Sequence, residues 1–330
     1  MKKIILLILL VSYFNSNAQL LKKVSTKIGI SIFEESGEKV LSRELGSEIT
    51  ERIVKQYNDD VIESLGKALA DNPKLKKLVL SDDEALKVLA KISKSKVCRN
   101  EKVVSHLTKI MKSQGEEKFF KRYLFTSIDD KLVINTRLNT PNGKVIKEIA
   151  NIKEVDNVLI IEARQGEKKN NLNDLLNRAE LIPNSIYKVK GKYNLNSYST
   201  KTDDFGNVKK VNGTLTRKAK SKIERSKDIQ KKVRVKKNGI NGDDGGHLIA
   251  NQFGGGSEMI NLIPMRGKEL NRPGGEYYKM EQEWAKALEK GKKVDYKIKI
   301  LYPNNSKRPE KIIVTYTIEG EKRTTKVFNN

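Results

Sequence analysis

Hydrophobic positions divide the chain into two regimes. Between Leu41 and Gln114 apolar residues recur at three- and four-residue intervals: Leu45, Ile49, Ile53 and Val54, then Val61, Leu65 and Leu69. That spacing gathers them on one face of successive helices. Ser81 with Glu84 predicts a capping box that opens a helix over Asp82 to Ile92. From about Lys118 the pattern turns to strands: Leu132–Val133–Ile134, Val145 to Ile149 and Val158 to Ile161, with a turn at Pro141–Asn142–Gly143. The polar stretch Gln165 to Asn173 reads as a linker. Beyond it, Tyr187 to Tyr198 is strand-like, Asp203 to Asn207 makes a turn, and Val208 to Leu215 returns as a second strand. Tyr277, Met280, Trp284 and Leu288 restore helical spacing, and Val294 to Leu301 and Lys311 to Ile318 read as late strands. The fold class is therefore α+β, with a helical N-terminal region and a strand-rich remainder.

The first residues change the picture of where the protein works. Met1-Lys2-Lys3, an apolar stretch from Ile4 to Phe14, and Ser16-Asn17-Ala18 have the form of a secretory signal peptide cleaved near Ala18. The apolar stretch falls short of the ~20 residues a bilayer requires. The expectation is a secreted or periplasmic protein with no membrane span in the mature chain. Cys98 is the only cysteine, which excludes an intramolecular disulfide, and it reads as a small buried apolar residue.

Charge then points to a class of partner. The formal net charge is +25 over 330 residues, and it is unevenly spread. From Ile186 to Asn330 there are 33 Lys and Arg against 16 Asp and Glu. Lys209 to Lys237 alone holds 13 basic residues, Lys231 and Lys232 among them, opposed only by Glu224 and Asp228. Such a run releases counterions from a nucleic-acid backbone and gives salt-sensitive, sequence-independent affinity. A solvated basic face is the bland alternative.

One short segment carries chemistry. Asp243-Asp244-Gly245-Gly246-His247-Leu248-Ile249-Ala250 contains one of only two histidines in the chain, and it continues through Phe253-Gly254-Gly255-Gly256 to Asn261-Leu262-Ile263-Pro264. Hydrolysis of a phosphodiester needs an activated water and stabilisation of charge on the phosphate, tasks suited to a neutral imidazole and a divalent cation. No second histidine or cysteine lies near His247, which argues against zinc ligation. The triple glycine lacks a following Lys-Ser/Thr, which excludes a nucleotide P-loop and leaves a flexible turn. His106, the other histidine, has no acid or amide cluster around it and reads as structural or surface.

The run DDGGHLIANQFGG, the NLIP from Asn261 to Pro264 and the spaced Asn271 resemble the DNA/RNA non-specific endonucleases of the ββα-metal (His-Me finger) class. The likeness is strongest to a DDGGH branch found among bacterial secreted and toxin nucleases. It covers roughly Leu181 to Asn330, including the approach Pro183 to Thr216 and a tail with Arg308-Pro309. The resemblance implies a C-terminal ββα-metal domain with a central antiparallel sheet over 181–330, after a helical region 19–117 and a strand-rich connector 118–180. It further implies His247 as general base, Asn271 as direct ligand of Mg²⁺ (Mn²⁺ as alternative), and Asp244 as a hydrogen-bonding support. Asn261 is either a second amide ordering the site or an ordinary strand-end asparagine. Glu281 is either a water-mediated metal contact or a solvated helix glutamate.

Many family members have Arg where this chain has Gly245, so the transition-state cation must come from elsewhere, with Arg234, Arg266 and Arg272 as candidates. The implied activity is cleavage of DNA and RNA to 5′-phosphate ends. Two other readings compete with it. One is a non-catalytic basic nucleic-acid-binding protein. The other is an interbacterial nuclease toxin with a cognate immunity protein as partner.

Overall fold

The computed structural model describes residues 38–330 apart from 71, 94, 129–130, 140–144, 156–157, 167–171, 222 and 305. The signal segment and the turn at Pro141–Gly143 lie outside the described residues. Contacts divide the chain into two units, one up to Thr108 and one from Lys109 onward.

In the first unit, helical residues 38–45 are followed by α1 (Ser47–Gln56), α2 (Asp59–Ala70), α3 (Pro73–Ser81), α4 (Asp83–Ile92) and the start of α5 (Glu101–Gln114). Leu45, Ile53, Leu65 and Leu69 are buried, as helical spacing predicts, whereas Val54, expected on the same face, is exposed. The helix start at α3 has a clear local cause. Asn72 accepts the amide of Leu75 at 3.0 Å, and Pro73 supplies a preset φ at the first position. The capping box expected at Ser81 and Glu84 does not form. The Ser81 hydroxyl bonds back to Leu78 O, and Asp82 caps α4 without a side-chain bond. Cys98 is free and buried, and His106 lies buried on α5. No helix among the described residues is long and apolar enough to cross a membrane.

The second unit is built on a ten-stranded sheet. After α6 (Glu116–Arg122), which delays the strands to Tyr123, come β1 (Tyr123–Ile128), β2 (Lys131–Asn139), β3 (Val145–Val155) and β4 (Val158–Arg164). β5 (Ile186–Lys190), β6 (Ser197–Thr202), β7 (Val208–Leu215), β10 (Val294–Leu301), β11 (Lys311–Ile318) and β12 (Thr324–Asn329) continue it in that order. Every pairing is antiparallel except β4 with β5. The single strand expected over Tyr187 to Tyr198 is broken by a turn at Lys192–Asn194, where Tyr193 and Asn194 take positive φ. β12 was not anticipated: its burial alternates weakly, as an edge strand's does.

The expected linker Gln165–Asn173 is tied in at both ends. Gln165 and Asn173 are buried, and Glu258 accepts the amides of Gly166 (2.6 Å) and Asn173 (3.4 Å). The strands on either side of this segment, β4 and β5, pair in parallel within the one sheet.

β7 and β10 are direct neighbours, Leu215 opposite Val294. Everything between them, residues 216–293, is an excursion from the sheet. It holds α7 (Lys227–Lys236), the strand pair β8 (Asp243–His247) and β9 (Leu262–Arg266), and α8 (Glu276–Glu289). α8 anchors the excursion through its apolar face. Trp284 is fully buried, stacked on Tyr296 of β10 (5.6 Å) and edge-on to Tyr316 of β11 (5.4 Å). Tyr277 packs on Phe328 of β12. Burying each such ring contributes about 1.5–3 kcal/mol.

Candidate active site

β8 and β9 pair in strict register, Asp243 opposite Arg266 and His247 opposite Leu262. α8 follows β9 after a single π turn over Gly267–Asn271. Three side chains fix this unit. Tyr277 of α8 donates its hydroxyl to Leu248 O at 2.8 Å, holding the residue next to His247. Asn261, 1% exposed, accepts the amide of Ile249 (3.0 Å) and donates to Ile249 O (2.9 Å) and Gly256 O (3.1 Å). Both of its amide hydrogens are committed to the backbone, so it clasps the β8–β9 loop. Asp243 carries a buried ion pair with Arg308, at 2.7 Å to Nε and 2.9 Å to Nη2, and also accepts the Ile240 amide.

The glycines of the motif are explained by close approach. A Cβ on Gly245 would lie 2.4 Å from Gln230 O, because the backbone of α7 rests on β8 there. An arginine at this position is sterically excluded while α7 occupies its place. A Cβ on Gly255 would lie 1.7 Å from Ile249 O. The glycine run is thus a tightly packed corner and not a flexible turn.

His247 is 6% exposed, and its Nε2 is buried without a hydrogen-bond partner among the described residues. Burial, with lesser contributions from the charges of Arg225 and Lys192, pulls its pKa down to about 3. The imidazole is therefore neutral across the physiological range. Asp244 receives hydrogen bonds from Asn271 Nδ2 (3.1 Å) and from Arg272 Nε and Nη2 (both 2.9 Å). The Arg272 bonds lead the causes that hold the Asp244 carboxyl below the usual range. With Nδ2 given to Asp244, the Asn271 amide presents its oxygen on the other side. Glu281 lies one helical turn beyond Tyr277, whose hydroxyl feels its charge. Burial pushes its carboxyl up to about 8, opposed by Arg225.

The candidate cations sort differently from one another. Arg272 is spent on Asp244, and Arg266 pairs with Glu269 at 3.4 Å. Arg234 is exposed on α7, and its charge reaches Asp244. Arg225, which sequence reasoning passed over, is the cation felt by both His247 and Glu281. Its only sequence signal was membership of the basic run. That run also divides. Lys231 and Lys232 are exposed on α7, whereas Lys218 pairs with Glu289. Lys237 is buried, donating to Met259 O (2.7 Å) and Leu262 O (2.8 Å), so it braces β9 and does not face solvent. Among the described residues no group of three or more His, Cys, Asp and Glu side chains could hold a metal.

Two antiparallel strands and a helix, with a histidine on the first strand and an asparagine just before the helix, define a ββα finger of the nuclease type. Residues 183–320 match the family of DNA/RNA non-specific endonucleases, and the domain they form is an endonuclease domain of that family. The chain is also 42% identical over 91 residues to the type VII secretion system protein EssD of Staphylococcus aureus (strain USA300). That match spans 26% of this chain and only 15% of the relative. Among solved structures it is similar to NucA from Streptococcus agalactiae with magnesium bound, at 17% identity and TM-score 0.33 over 41% of this chain and 70% of that one. It is also similar to the Sda1 nuclease with bound zinc, at 16% identity and TM-score 0.32 over 41% and 76%.

Proposed function

We propose that the protein is a secreted, metal-dependent endonuclease that hydrolyses phosphodiester bonds of both DNA and RNA to 5′-phosphate ends, with His247 as general base. The observation that carries this reading is an imidazole kept neutral and unpartnered at Nε2, on the strand whose Asp244 orients Asn271. Nε2 takes the proton from the attacking water. Incoming phosphates offset the charges of Arg225 and Lys192 and so strengthen the base. Arg225, whose charge is felt by both His247 and Glu281, is assigned the stabilisation of the transition state, the task for which Arg234, Arg266 and Arg272 were the sequence candidates. Asn261 and Asp244 act through others, the first by holding the loop and the second by holding Asn271. The family likeness and the DDGGH pattern support the assignment, and Ser16-Asn17-Ala18 supports export.

The residues fit a hard, hydrated cation. One amide oxygen and one carboxylate, with no cluster of His or Cys, suit Mg²⁺ retaining several waters and do not suit zinc. Asn271 would hold it directly and Glu281 through water. When bound, the cation supplies charge stabilisation at the phosphate and leaving oxygen. Plasmid nicking by the purified chain should stop with EDTA and return with excess Mg²⁺. Asn271→Ala should raise the Mg²⁺ concentration for half-maximal rate by at least about tenfold, given that even outer-shell changes cost 10–100-fold. An unshifted titration curve would remove Asn271 from the ligand set.

Exposed Lys227, Lys231, Lys232 and Lys236 on α7 are assigned to the phosphate backbone. Neutralising them together should flatten log affinity against log salt by about 0.9 per lost contact on duplex DNA and leave the saturated rate little changed. A constant slope places the substrate elsewhere.

The catalytic domain is assigned to the unit from Lys109 onward. Residues 109–330 should be active alone. A fragment starting at 181 exposes the β5 edge and strips Glu258 of its two amide donors, so it should be far less soluble or inactive. Equal activity of the two fragments would show that β1–β4 are dispensable.

A further inference from the structure

Arg225, whose charge reaches His247, also lines a cavity of about 270 Å³ to which no role has been given. Ala219, Ser221, Ile223, Arg225, Asn251 and Gln252 line it. Its floor is built. Asn251 opens the turn four residues after His247 and is 2% exposed. Its Nδ2 donates to Ile223 O at 2.6 Å, which fixes the amide's orientation. Its Oδ1 is buried and has no hydrogen-bond partner among the described residues. The Ala219 amide bonds to Gln252 O at 2.7 Å, closing one wall, and the buried side chain of Ile223 adds an apolar surface. Arg225 stands at the junction, lining the cavity while its charge reaches His247.

A lone buried acceptor costs free energy unless a donor meets it. The ligand must therefore bring a donor, a flat body small enough for the space, and a negative charge beside Arg225. We infer that this cavity is a nucleobase subsite, which takes one unpaired base of the substrate strand next to the cleaved phosphate, with Asn251 Oδ1 as its acceptor and Arg225 on the adjoining phosphate. The inference rests on the nuclease reading. The chemistry also predicts an absence of base choice. Every base carries a donor on its pairing edge: the amines of adenine and cytosine, N1–H of guanine, and N3–H of thymine or uracil. One acceptor whose companion donor is committed to Ile223 cannot distinguish them. Neither does it contact the 2′ position, so DNA and RNA enter alike. Because the pairing edge is hidden in a duplex, the base must be unstacked first, and unpaired strands should be preferred.

The test uses the full chain carrying His247→Ala and single-stranded thymidine hexamers in which one abasic site is moved along the strand. Affinity is measured by fluorescence anisotropy. One position should cost about three- to tenfold more affinity than the others, the worth of one hydrogen bond with its packing. Plugging the cavity with Ala219→Leu should erase that difference. Ser221→Trp, placed on the exposed rim where folding is not at stake, should do the same. Equal cost at every position, or a position-specific cost that survives both plugs, overturns the subsite. Plasmid nicking by the parent is scored separately. Nicking with no distinguished position sinks the subsite and leaves the nuclease reading standing. A distinguished position with no nicking does the reverse.

Discussion

His247→Ala should leave a folded protein that still binds nucleic acid and scarcely cuts it. General-base catalysis is worth about 10²–10⁴-fold, and the loss should fall in that range or beyond the detection limit. The affinity for substrate should hold, because the imidazole makes no phosphate contact in the proposed scheme. The same variant has a second signature in stability. The folded pKa of about 3 lies below the ordinary value of 6.5, so as pH falls from 6.5 the unfolded chain takes up the proton first. The parent should therefore lose up to ~1.4 kcal/mol per pH unit from this group between pH 6 and 4. The alanine variant should lose less over that window. A nicking rate within a few-fold of the parent, with contaminating nuclease excluded, removes His247 from the mechanism.

Arg308→Met should strongly destabilise the second unit. The Asp243 side chain is 1% exposed and would be left with its charge buried and only the Ile240 amide opposing it. Breaking such a pair from one side costs about 3–5 kcal/mol, roughly 10 °C in melting temperature for a domain of this size. Asp243→Asn with Arg308→Met should recover much of that loss, because the orphaned charge is gone. Cutting activity should fall with the single variant, since the neighbouring Asp244 orients Asn271. A melting temperature lowered by less than 2 °C would mean that the pair is dispensable.

Much of the fold was readable because periodicity reports burial directly. The helical spacing of Tyr277, Met280, Trp284 and Leu288 does bury those four side chains, and the alternation of Val294–Leu301 gives β10 its inward face. What escaped was set by distant partners. Nothing local in Ser81–Glu84 tells whether the hydroxyl turns forward or back to Leu78. Gln165 and Asn173 look like linker residues until Glu258, some ninety positions on, claims the backbone around them. α7 was hidden because a run of lysines and arginines has helical potential but little apolar face, and only Val233 of that helix is buried. The site was legible as a pattern and not as geometry. The residues of the DDGGH segment and Asn271 do come together, whereas Asn261 proves to be a clasp for the loop. Arg225 is separated from His247 by a helix and a strand, so no spacing rule would have selected it.

The adjacency of β7 and β10 has a consequence for how such a domain changes over time. Leu215 and Val294 are paired, so every residue proposed for catalysis hangs from what is topologically the loop of one long hairpin. The entropy of closing a loop rises only slowly with its length. Residues can be gained, lost or exchanged within that loop while the ladder that frames it keeps its register. The sheet is thus a fixed mount, and substrate preference, cation source and metal ligands can be rewritten on it without refolding the mount.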